Sequence, residues 1–174
     1  MADAPDQLTL KRHRDLEGRE RRPVVRAVGL GLLGVLCLLG LFNLFGQRPQ
    51  TDTAEGAVAQ LDVYSPTRVR SGLYFESRFH IRARREIEEA TLVLDPGWLE
   101  GMTLNTVAPG PVGEASRDGR VAFELGHIPG GGEHILFLHF QVNPTNVGSR
   151  SQDVELYDGD ERLLALDRSV TIFP

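Results

Sequence analysis

Between Val24 and Phe45 the chain reads VVRAVGLGLLGVLCLLGLFNLF, and from Ala27 to Phe42 no side chain is charged. Twenty-two residues in helical form reach roughly 33 Å at about 1.5 Å each, enough for a hydrocarbon core of about 30 Å. In lipid every backbone amide needs an internal partner, which a lone apolar stretch can supply only as a helix. One transmembrane helix over 24–45 is therefore expected, with the lipid bilayer as its partner.

Lys11, Arg12, Arg14, Arg19, Arg21 and Arg22 precede the span, whereas Arg48 is the only cation between Gly46 and Ser65. This bias predicts a cytoplasmic N-terminus and an extracytoplasmic C-terminal part, at a plasma membrane. A cleaved signal peptide would have a shorter basic region and an apolar core of about 7–15 residues. Ala57-Val58-Ala59 lies too far past the core to serve as its cleavage site, so a retained anchor is expected. Cys37 follows Leu36 in mid-span, which does not suit a lipoprotein anchor. Ala27, Gly31 and Gly34 share one helical face, where small side chains would let a second helix, from another copy or another subunit, approach closely.

The flanking composition divides the rest. Residues 1–23 mix charges with Pro5 and Pro23 and read as a disordered cytoplasmic tail. Residues 46–60 (GQRPQTDTAEGAVAQ) read as a short polar linker. Residues 61–174 are the size of one domain. They hold eleven Arg against seventeen Asp and Glu, a formal charge of −6. That balance argues against nucleic acid as a ligand, because phosphate binding needs a basic field. The domain has no cysteine, so it must be held together by its core rather than by disulfides. Its one glycosylation-like triplet, Asn143-Pro144-Thr145, has proline at the forbidden middle position.

Hydrophobic alternation in 61–174 has period two. In Leu73–Arg85, Phe75, Ser77, Phe79, Ile81 and Ala83 fall on one side and Tyr74, Glu76, Arg78, His80, Arg82 and Arg84 on the other. Further strands are expected at Leu61–Tyr64, Ala90–Asp95, Thr103–Val107, Arg120–Leu125, Glu133–Val142, Asp153–Tyr157 and Arg162–Phe173. Asp95-Pro96-Gly97-Trp98 suits a type II turn, which would leave Trp98 at an edge. Asp158-Gly159 suits a hairpin. Seven or eight short strands predict a mainly β fold: an antiparallel immunoglobulin-like β-sandwich preceded by one transmembrane α-helix.

The run Phe123-Glu124-Leu125-Gly126-His127-Ile128-Pro129-Gly130-Gly131, returning through Ile135 to Val142, resembles a stretch of sandwich modules in bacterial surface and envelope proteins. Through TLVLDPGW (91–98), GMTLNT (101–106), QVNPTNVG (141–148) and DVELYDGDERL (153–163), the outer domain is similar to that of small single-pass membrane proteins of GC-rich bacteria. The resemblance implies a sandwich in the cell envelope and carries no catalytic residue.

Two surfaces are candidates for contact. Arg78, His80, Arg82 and Arg84 form a cationic row about 20 Å long at ~3.3 Å per residue, suited to an acidic partner or to pairing with neighbouring glutamates. Strand Glu133–Val142 is apolar on both sides, so Ile135 and Phe137 would form a patch on the side away from the core. The function expected is an anchored extracytoplasmic binding or scaffolding module that contacts another membrane or envelope protein. The alternative is a copper or zinc carrier using His80, His127 and His134 or His139. His134 and His139, five apart on one strand, would point to opposite faces. Asp158, Asp160 and Glu161 lack the spacing of a calcium loop. No nucleophile elbow or phosphate-binding glycine loop is present, and neither an enzyme nor a cofactor is expected.

Overall fold

The computed structural model describes residues 22–44 and 46–174, so the expected cytoplasmic tail lies outside the described residues apart from its end. The chain divides into two units, residues 1–44 and 45–174. In the first, α1 runs over Arg22–Leu41, with Pro23 in its first turn, where its missing amide costs no hydrogen bond. Helical hydrogen bonding continues to Leu44, whose amide donates to Leu39 O at 3.0 Å. The apolar side chains of this helix are exposed along almost its whole length. Pro23–Leu41 is long and apolar enough to cross a membrane.

The second unit is the expected immunoglobulin-like sandwich. Its strands are β1 (Pro49–Glu55), β2 (Ala59–Pro66), β3 (Arg68–Arg70), β4 (Tyr74–Ala83), β5 (Ile87–Leu94), β6 (Met102–Ala108) and β7 (Gly113–Arg117). They continue as β8 (Arg120–Ile128), β9 (Glu133–Val142), β10 (Gly148–Ser151), β11 (Val154–Asp158), β12 (Glu161–Leu166) and β13 (Ser169–Phe173). The first sheet has the order β1-β2-β4-β9-β6 and the second β12-β11-β5-β8-β7, both wholly antiparallel. A small sheet, β10-β13-β3, contains the parallel pair β13–β3. The alternation in β4 holds: Phe75, Ser77, Phe79, Ile81 and Ala83 are buried and face Leu92, Leu94, Phe123 and Leu156 of the second sheet in one core. Asp158-Gly159 closes the expected hairpin between β11 and β12.

Four expectations are corrected. Most of the stretch read as a linker is structured: Pro49–Glu55 pairs with β2 along its full length and Ala59 already opens β2. Its residues, PQTDTAE, are polar because β1 is an edge strand held through backbone bonds, so no hydrophobic period marks it. Trp98 is fully buried rather than at an edge, its ring 5.3 Å from Phe79 and 5.5 Å from Phe140. Pro96–Trp98 is one 3-10 turn instead of a type II turn. Gly97 permits it, since a Cβ there would collide with the Ser151 carbonyl oxygen. Finally, Arg162–Phe173 is two strands in different sheets. They are separated at Arg168, whose guanidinium lies 5.0 Å over Trp98 and donates to Asp52, Gln152 and the Ser65 carbonyl.

Candidate functional site

In the antiparallel first sheet, residues directly opposite one another share a face. The register therefore assembles the outward face in rows. Tyr64, Arg78, Phe137 and Ala108 lie side by side across β2, β4, β9 and β6. Asp62, His80 and Ile135 form the next row, and Gln60, Arg82 and Glu133 the one after. The contact residues expected from the sequence thus come together: Arg78 is opposite Phe137, and His80 is opposite Ile135. Ile135 and Phe137 are half-buried and Arg78 is exposed.

The cationic row is not uniform. Arg82 pairs with Asp62 at 2.7 Å, Arg84 with Glu55 at 2.8 Å, and His80 with Glu133 at 2.8 Å. Asp62 also accepts from Thr53 at 2.8 Å and from Gln60 at 3.0 Å. Burial alone would push the Asp62 carboxyl up. Those two hydrogen bonds, with the charges of Arg82 and His80, outweigh it and hold the carboxyl below its usual range. Arg78 differs, for it has no carboxylate partner among the described residues and lies 5.2 Å over the Tyr64 ring. One end of the face is a closed polar network and the other end holds the exposed His139–Glu76 pair; between them Arg78 has Tyr64 and Phe137 on its two sides. Sequence reading found Arg78 and Phe137 but missed Tyr64, Asp62 and Glu55, because pairing register is not written in any one strand.

The histidines do not converge. His139 pairs with Glu76 at 3.1 Å and His127 with Glu86 at 2.8 Å. His134, opposite Ile81, is on the inward side, as the five-residue spacing from His139 requires. Its Nε2 is buried without a hydrogen-bond partner, and desolvation lowers its pKa. Among the described residues no three His, Cys, Asp or Glu side chains are placed to hold one metal ion. A depression of about 680 Å³ on the second sheet's outward face is lined by Thr91, Val112, Arg117, Ala122 and Glu124 among others, away from the candidate surface. In the helix, apart from its own backbone and chain neighbours, no atom of the described residues lies within 4 Å of where a Cβ would stand at Gly31 or Gly34, and Ala27 is exposed.

No protein-family model matches the chain. No curated protein matches it. Among solved structures, the chain is similar to the CARDB domain of a Pyrococcus furiosus protein in solution, with 9% identity over 74% of this chain and 98% of that one, at a TM-score of 0.41. A crystal structure of the CARDB domain in complex with di-metal ions, from the same organism, gives 12% identity over 71% and 88%, at 0.41. CaCohA2 from Clostridium acetobutylicum gives 14% identity over 71% and 93%, at 0.44. The sandwich assignment itself rests on the strand order and core described above.

Proposed function

We propose that the protein is a single-pass envelope protein of the type its outer domain resembles, small membrane proteins of GC-rich bacteria. Its N-terminus is cytoplasmic, α1 spans the plasma membrane, and the sandwich is an extracytoplasmic binding or scaffolding module. The contact surface is the open half of the first sheet's outward face, and the partner is another membrane or envelope protein. The observation carrying this reading is the row Tyr64–Arg78–Phe137, an arginine without a carboxylate between two aromatic side chains. Tyrosine and arginine are the residue types that dominate binding energy at interfaces. Anchoring in one membrane raises the local concentration of module and partner, so modest contacts suffice. The small-residue side of the helix, Ala27, Gly31 and Gly34, offers a second contact within the bilayer, including with a second copy.

The test is photo-crosslinking in native membranes from a benzoylphenylalanine placed at Phe137. A discrete adduct is expected, lost on Ile135→Glu while the protein stays folded by circular dichroism. Unfolding by Ile135→Glu would put that side chain in the core and sink the patch. Protease added to intact protoplasts should remove the sandwich; protection would overturn the orientation.

A further inference from the structure

One end of the sandwich differs in charge from the rest. Segments 46–51, 66–75, 141–150 and 168–174 meet there. The Thr67 amide donates to Arg48 O at 3.0 Å, Ser71 to Phe173 O at 2.7 Å and Gly72 to Val142 O at 3.1 Å. Gln47 Nε2 donates to Tyr74 O at 2.7 Å. These segments contain Arg48, Arg68, Arg70, Arg150 and Arg168, against which stand Asp52, Asp167 and Glu100, a cationic excess in a domain otherwise rich in carboxylates. Arg168 is buried against Asp52, and Arg150 is 3.6 Å from Glu100. Arg68 lines a depression together with Asp52 and Asp167. Arg48 and Arg70 are exposed and neither pairs with an Asp or Glu among the described residues, while Arg70 Nε donates to Pro174 O at 3.3 Å.

The same rim is apolar. Among its described residues the sandwich exposes four large apolar side chains, and three of them are here: Leu73 at 44%, Tyr74 at 63% and Val147 at 47%.

We propose that this rim sits on the outer surface of the bilayer, Arg48 and Arg70 on lipid phosphates and Leu73, Tyr74 and Val147 at the headgroup boundary. This rests on the reading of α1 as a membrane span. Exposed cations and an amphipathic tyrosine beside aliphatic side chains are what that interface selects. The consequence is orientational. Tyr74 opens the strand that carries Arg78, so with the rim down β4 rises from the membrane and Arg78 stands about 13 Å above Tyr74. The Tyr64–Arg78–Phe137 row then faces sideways, toward a membrane protein standing alongside.

The test uses full-length protein carrying Cys37→Ser, with a fluorophore on a single Thr145→Cys at the rim or Arg85→Cys at the opposite end. It is reconstituted into vesicles of phosphatidylcholine and phosphatidylglycerol in equal parts containing headgroup-spin-labelled lipid. Quenching is expected at 145 and not at 85. Arg48→Glu and Arg70→Glu should each weaken rim docking about fivefold, and 1 M salt, where the Debye length is about 3 Å, should weaken it further. Leu73→Ser with Tyr74→Ser should reduce quenching at 145 without changing that at 85. Equal quenching at both positions in protein that resists carbonate extraction overturns the rim alone. Release of the protein by carbonate overturns the membrane span, and the rim with it.

Discussion

Two arginines stack on tyrosines on opposite outward faces of this sandwich, and they do different things. On the second sheet, Arg117 lies 4.0 Å over Tyr157, donates to the Gly159 carbonyl and pairs with Asp160, both at 2.8 Å. Tyr157 is only 9% exposed, covers buried Val93 and Ala122, and donates its hydroxyl to Glu155 at 2.8 Å. Glu155 in turn holds Arg120 at 2.8 Å and Arg162 at 3.0 Å. On the first sheet, Arg78 over Tyr64 has no such frame. A guanidinium has five donors, and what fills them separates a sealed face from one left open for a partner. The same pair of residue types serves stability in one place and contact in the other.

The extreme of sealing is Trp98, buried between Phe79 and Phe140 with Arg168 above it. Trp98→Ala should cost about 3–5 kcal/mol, seen as a large fall in the unfolding midpoint of the detergent-solubilised chain. A loss near zero would mean that the sandwich does not close on this ring. Next comes the direct comparison. Tyr157→Ala should cost about 3 kcal/mol, and Tyr64→Ala under about 1 kcal/mol. Equal losses would erase the distinction between the two faces.

How much of this could be read in advance varies along the chain. The β4 alternation announced its own buried and exposed sides, and the Asp158-Gly159 hairpin stood where its turn residues put it. Strands β1, β3, β7 and β10 escaped because they are short or polar, held by backbone bonds that leave no mark on side-chain pattern. Trp98 was misread because a turn tripeptide says nothing of which way the turn folds. Of the candidate surface, Arg78, Ile135 and Phe137 were legible as strand faces. The split of the cationic row was not: it depends on Asp62, Glu55 and Glu133 arriving from other strands.

The sealed network also makes a pH prediction. Burial would raise the Glu155 carboxyl, yet hydrogen bonds from Arg120, Tyr157 and Arg162 outweigh it and hold it below its usual range. Asp62 is lowered in the same sense. A carboxyl with a lower folded than unfolded pKa leaves the unfolded state binding more protons between the two values. Its stabilisation is therefore complete above the ordinary carboxylate range and lost as pH falls through the depressed folded value. Glu155→Gln should cost about 2 kcal/mol at neutral pH and flatten the acid limb of a midpoint-versus-pH curve. An unchanged acid limb would show that Glu155 is not held charged by its three partners.

The smallest effect on stability separates the two halves of the first sheet's face. Arg78→Glu removes no ion pair, so the unfolding midpoint should move by no more than about 0.5 kcal/mol equivalent, while the crosslinked adduct from position 137 disappears. Arg84→Glu breaks its exposed pair with Glu55, worth at most about 1 kcal/mol, and should leave the adduct intact, since the closed half already answers its own charges. If Arg84→Glu abolished the adduct and Arg78→Glu did not, the partner would be reading the network rather than the open row. The contact surface would then move to the Glu55–Arg84 end of the sheet.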